Sequence, residues 1–219
     1  MKRFRTALVL LLLLLAIPVE AEERRADSSA RGANTDATYG RLDGDVALVG
    51  GLGATFGPGA PRGALDLRLR YLDTVGLFAD YEDALGGDAN PRRVISFGFE
   101  ARPVFLGRWL TGKAVNRAFF DLLIDSFGLE LGAFFSQPSY SSLRSRPGLQ
   151  AGLGIEVPVL GQARGPWIGF HGGVRWSDGV LAGDPVVGPN DRAAYLTVTV
   201  AWHEFVLAHA VDAGDRALR

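Results

Sequence analysis

The chain has 219 residues, enough for one domain, with 47% hydrophobic and 21% charged residues and a formal charge of −1. It lacks the basic excess that marks nucleic-acid binding. With no cysteine it has no disulfide framework, no cysteine-based metal site and no lipoprotein anchor, and its 29 glycines follow no G-x-y period, which excludes collagen.

Lys2, Arg3 and Arg5 precede an unbroken apolar run from Ala7 to Ile17, and Val19-Glu20-Ala21 approximates a small-x-small cleavage site. This order predicts a secretory signal peptide over residues 1–21. The apolar run is too short for a membrane-spanning helix, which needs roughly 20 residues. Excision would remove three basic residues and one acidic one, leaving a chain near −3. Residues 22–42 are polar and without periodicity, and are expected to be a flexible N-terminal segment.

From Asp43 the chain alternates with period two, the signature of strands with two unlike faces. "DVALVGGLGATF" sets Val46, Leu48, Leu52 and Phe56 against Asp45, Ala47, Gly51 and Thr55. "ALDLRLRY" sets Leu65, Leu67, Leu69 and Tyr71 against Asp66, Arg68 and Arg70. After a tight turn at Leu72-Asp73-Thr74, "VGLFADYE" sets Val75, Leu77, Ala79 and Tyr81 against Gly76, Phe78, Asp80 and Glu82. A fourth strand, from about Arg93 to Phe105, sets Ile95, Phe97 and Phe99 against Ser96, Gly98, Glu100 and Arg102. Pro103, which cannot donate to a ladder, marks its expected edge.

Alternation then lapses. Val115, Phe119, Leu122 and Leu123 recur at helical spacing, which predicts one short amphipathic helix within residues 107–125. That helix either lies on a leaflet surface, anchored by Trp109, Phe119 and Phe120, or caps the barrel mouth.

Four more alternating segments follow: "SFGLELGAFF", "GLQAGLGIEV", "PWIGFHGGVRW" and "AAYLTVTVAWHEF". They place Glu130, Glu156, His171, Arg175 and His203 on the polar parity. A barrel domain over 43–205 and a polar tail over 206–219 complete the expected organisation. Eight strands of this length match what a tilted strand needs to cross a bilayer.

The polarity of the two faces decides which one meets solvent. One parity is apolar in every strand centre. The other carries glycine with Asp66, Arg68, Arg70, Asp80, Glu82, Glu100, Arg102, Glu130, Glu156, His171, Arg175 and His203, and no strand contains a lysine. Glycines weaken an exposed strand but make room inside a narrow barrel, where arginine forks can hold several carboxylates. The charged set is therefore expected to form a structural network in the lumen, and the apolar parity to face lipid. Phe56, Tyr71, Tyr81, Trp176 and Trp202 stand on the apolar parity near strand ends, where an interfacial aromatic girdle belongs. Long turn-rich loops follow strands three, five and seven, on the side opposite the helix.

In this pattern residues 43–205 resemble the small eight-stranded outer-membrane barrels of Gram-negative bacteria, the OmpA/OmpX-like class. The last strand, "AYLTVTVAW", resembles the terminal strand read by the barrel-assembly machinery, although 14 residues follow Phe205. The resemblance implies an all-β, antiparallel, up-and-down transmembrane barrel in the outer membrane, in contact with its lipids and with that machinery during biogenesis.

Catalytic patterns are scarce: there is no G-x-S-x-G, H-E-x-x-H or P-loop. The expectation is a non-enzymatic barrel without a cofactor, with a structural or surface-interaction role. Two alternatives stand beside it: a narrow pore for ions or small solutes, and a secreted soluble barrel that binds an apolar ligand.

Overall fold

The computed structural model describes residues 39–41, 43–85, 90–112, 115, 117–137, 146–184 and 191–208. The expected signal peptide, nearly all of the segment 22–42 and most of the tail lie outside these residues, as do parts of four connections between strands.

Period-two alternation becomes eight strands: β1 (Val46–Phe56), β2 (Arg62–Tyr71), β3 (Val75–Asp83), β4 (Arg93–Ala101), β5 (Gly128–Gln137), β6 (Arg146–Pro158), β7 (Gly165–Ser177) and β8 (Arg192–Val206). Each pairs antiparallel with its neighbours in sequence, and β8 returns to β1, closing an up-and-down barrel with no free edge.

The register sets the width of the barrel. Val46 pairs with Tyr71, and the path continues through Val75, Ala101, Leu129, Leu153, Gly172 and Leu196 to Phe56. One circuit thus returns to β1 ten residues beyond its start. With standard strand spacings this stagger implies a tilt of about 40° and a backbone radius of roughly 8 Å. Such an interior has room for side chains and little else.

Side chains sort by parity as the alternation requires. Phe99, Leu131 and Val200 on the outer face are 71%, 63% and 66% exposed, whereas Arg70 and Glu156 on the inner face are 0% and 1% exposed. The wall is thus apolar outside and charged inside, the reverse of a water-soluble barrel.

Both chain ends of the barrel and three connections lie at one end. The β2–β3 turn there has positive φ at Leu72 (48°) and Asp73 (52°), and Thr74 N–H donates to the Tyr71 carbonyl at 3.0 Å. This is the mirror-image geometry that matches hairpin twist.

The β4–β5 connection differs from the expectation. Instead of one helix it holds two, α1 (Pro103–Thr111) and α2 (Ala118–Asp125), and β4 ends at Ala101 rather than continuing to Phe105. Pro103 does follow the strand edge, but it also opens α1, because its fixed φ and missing N–H suit the first helical position. Gly112, at φ 62°, closes α1 in the left-handed conformation. α2 buries Asp121, Leu122 and Asp125 toward the barrel mouth. A four-residue helix, α3 (Asp178–Leu181), caps the start of the β7–β8 loop, which sequence reading leaves as loop. No helix among the described residues is long and apolar enough to cross a membrane.

Candidate functional site

The inner parity of the strands builds two charged clusters with buried aromatic rings packed against their arginines. At the helix-bearing end, β2 supplies Arg68 and Arg70, two residues apart and so both inward. Glu100 Oε2 accepts from Arg68 Nη1 at 2.9 Å and from Arg70 Nε at 3.0 Å, and Arg102 Nε reaches Glu100 Oε1 at 3.2 Å. Arg68 also binds Asp66 at 3.0 Å and Glu130 at 2.6 Å.

Glu156 accepts from Arg70 Nη2 at 2.9 Å and from Arg102. Its backbone is fixed by Ser126, just past α2, whose hydroxyl accepts from Glu156 N–H at 2.9 Å and donates to the Glu156 carbonyl at 2.7 Å. Asp73, in the β2–β3 turn, meets Arg102 at 3.0 Å, Arg41 at 3.1 Å and Arg70 at 3.6 Å. Three cations thereby hold a turn whose Leu72 occupies a region disfavoured for side chains.

The two inward histidines flank Glu156. His203 Nε2 lies 3.5 Å from Glu156 Oε2, and its ring stacks on Trp167 at 4.6 Å. His171 Nε2 lies 3.9 Å from Glu156 Oε1, while its Nδ1 meets Glu130 at 2.8 Å. Asp80 is partly buried and stands opposite Asp66 in the β2–β3 register.

Toward the other end, Glu82 is shared by Arg62 at 2.8 Å and Arg175 at 2.6 Å. Arg175 Nε also donates to Gln150 Oε1 at 3.0 Å. Phe78, Phe134 and Tyr195, all buried, pack against the cluster arginines: Phe78 beside Arg68, and Phe134 and Tyr195 beside Arg175. The Arg175 guanidinium sits 4.1 Å from the Tyr195 ring centroid, close enough for a cation–π contact. Glycines supply the space: a Cβ at Gly148 would lie 2.5 Å from the Phe134 ring, and one at Gly154 would lie 2.5 Å from His171 Nδ1.

Beneath the helix-bearing mouth, residues 39–41 run as a strap. Arg41 is buried under the Phe105 ring (4.7 Å) and donates to the Leu122 carbonyl at 3.0 Å. It also pairs with Asp125 at 3.4 Å. Burial pushes its guanidinium down to about 10, despite Asp73 and Asp125. Burial likewise raises Asp125, against the pull of Arg41 and Arg108. Asp121 moves the other way. Burial opposes its charge, but donation from Val115 N–H (2.7 Å), Tyr39 Oη (3.0 Å) and Arg108 outweighs it and holds the carboxyl below the usual range.

All twelve charged and histidine residues expected in the lumen are inward. Arg102 differs in setting, because it is the residue before α1 rather than part of β4. Asp45 precedes β1 and is only partly buried, and its carbonyl accepts from Leu72 N–H. Of the five girdle aromatics, Phe56, Tyr81 and Trp202 are exposed, whereas Tyr71 and Trp176 are partly buried. Arg144, in the loop before β6, lies outside the described residues, and Arg146 is 56% exposed at the start of β6.

Sequence reasoning passed over Arg41, Arg62, Asp73, Asp125, Gln150 and the interior aromatics. Arg62, Gln150, Phe78 and Phe134 were signalled by parity alone; Arg41 carries no periodic signal.

Among the described residues no group of three or more histidine, aspartate or glutamate side chains is arranged to hold a metal ion. Comparison with protein-family models, with curated proteins and with solved structures returns no match.

Proposed function

We propose that this chain is an integral outer-membrane β-barrel with a structural or surface-interaction role, its lumen plugged by the charged side-chain network. The observation that carries this reading is the inverted polarity of a closed eight-stranded wall. Outward rows of Leu, Ile, Phe and Val would order water over the whole circumference, whereas in a bilayer they meet hydrocarbon. A tilted ten-residue strand such as β2 rises about 25 Å along the axis, matching the apolar band of outer-membrane barrels.

In this reading residues 1–21 direct export, outer-membrane lipids contact the wall, and the barrel-assembly machinery inserts it. The helix-bearing end faces the periplasm and the β1–β2, β3–β4, β5–β6 and β7–β8 loops face outward. The role is not enzymatic and involves no nucleic acid. A conducting pore is disfavoured by Arg68, Arg70, Glu100 and Glu156, which meet across the lumen axis. A soluble carrier of apolar ligands is disfavoured because the interior is charged rather than greasy. Cell fractionation tests the reading: the protein should enter the outer-membrane fraction and need detergent for release. Recovery as a soluble periplasmic protein would overturn it.

A further inference from the structure

We propose that the outward face of the α1–α2 cap, together with the β6–β7 turn, is a lipid-binding surface that lies in the headgroup zone of an anionic phospholipid leaflet. This inference rests on the membrane reading above and adds to it a surface that the barrel wall does not require.

The cap has two faces of opposite character. Its inner face is used up at the mouth, where Asp121, Leu122 and Asp125 are buried and Leu122 packs with Ala163 and Trp167. Its outer face carries Leu106, Trp109, Leu110, Phe119, Phe120 and Ile124, between 37% and 72% exposed. The β6–β7 turn extends this face: Val159 and Leu160 are 54% and 52% exposed, and a Cβ at Gly161 would lie 3.6 Å from Ala118 Cβ at the start of α2. An exposed apolar surface of this extent marks a contact surface.

Two observations select a lipid leaflet as the occupant. The first is continuity. β4 ends at Ala101 and β5 begins at Gly128, so the cap grows directly out of a strongly exposed part of the apolar wall, Phe99 and Leu131. The second is charge. The cap carboxylates are turned inward onto Arg41 and Arg108, while Arg117 is outward and Arg164 of the turn, also outward, pairs with Glu204 at 2.7 Å. A face of exposed aromatics and leucines beside an exposed arginine, with the carboxylates of the helices withdrawn, is the composition of an interfacial amphipathic helix.

The absence of cysteine allows a direct test, because one introduced thiol carries one nitroxide label. Labels at Leu110→Cys, Val200→Cys and Asp184→Cys would report the cap, the wall and an exposed loop at the opposite end. Full-length protein is reconstituted in vesicles of phosphatidylcholine and phosphatidylglycerol, and variants are kept only if they retain heat-modifiable migration. Relaxation by oxygen, which partitions into lipid, is compared with relaxation by a water-soluble nickel chelate. The Val200 label should favour oxygen strongly, the Asp184 label should favour the chelate, and the Leu110 label should fall between them at shallow depth. A Leu110 label as open to the chelate as the Asp184 label, beside a lipid-buried Val200 label, would overturn the inference and leave the membrane reading standing. A Leu110 label shielded from both relaxants would also overturn it, in favour of a protein partner. A Val200 label open to the chelate would instead remove the membrane reading, and this inference with it.

Discussion

At Glu156 one carboxylate answers Arg70, Arg102 and His203 inside a wall that excludes water. Replacing it by glutamine leaves two buried guanidiniums short of a counter-charge, which costs roughly 3–5 kcal/mol. Glu156→Gln is therefore expected to lower the unfolding free energy by that amount in urea titrations of vesicle-reconstituted protein. Two adjacent residues of β4 should fail for opposite reasons. Phe97→Arg places a charge on the outer wall, at a cost of about 2–4 kcal/mol near a bilayer midplane. Gly98→Ala puts a Cβ 2.3 Å from the Leu131 carbonyl oxygen, a backbone atom that has no room to yield. Folding into vesicles of graded thickness separates them. The Phe97→Arg deficit should shrink in thin bilayers, where the arginine reaches the headgroups, and the Gly98→Ala deficit should not change.

At the scale of elements, the cap is pinned by its carboxylates, and their opposite shifts give it a pH response. Asp121 is held below the usual range, so its contribution is present above about pH 4 and is lost as pH falls through its lowered value. Asp125 is raised, so its contribution has the reverse sign: it is greatest at low pH and fades as pH rises through the raised value. Asp121 makes the larger set of contacts, so hydrogen-exchange protection of α1 and α2 should fall on acidification below about pH 4 while strand amides hold. Asp121→Asn should show that loss already at neutral pH. These elements also mark where the sequence was legible. Every strand centre was readable because one-sided burial forces period two, and the inward charges followed from parity. Helix boundaries were not, because Pro103 ends a ladder and starts a helix with equal ease, and the six residues 112–117 hide the break between α1 and α2. Asp73 was invisible as a network member because its role comes from a turn, where no periodicity points anywhere. Phe78 and Phe134 sat on the polar parity in plain view, but an aromatic there is recognisable as lumen filling only once Gly132 and Gly148 are seen to leave it space.

For the molecule as a whole, the ten-residue stagger fixes a radius that two arginine layers fill. Purified protein in planar bilayers is therefore expected to show no discrete conductance. Steady single-channel steps would replace the plugged reading with the pore.

The strap at residues 39–41 has a consequence for the order of events during assembly. Tyr39 reaches Asp121 and, through its carbonyl, Ala163 of the β6–β7 turn, while Arg41 reaches the β2–β3 turn and α2. Its docking site is distributed over segments that come together only when most of the circumference has formed. The first residues of the domain in sequence are thus among the last to find their place. Trypsin offers a clock for this: cleavage after Arg41 should persist through strand formation and cease only at closure, later than protection of Arg68 or Arg70.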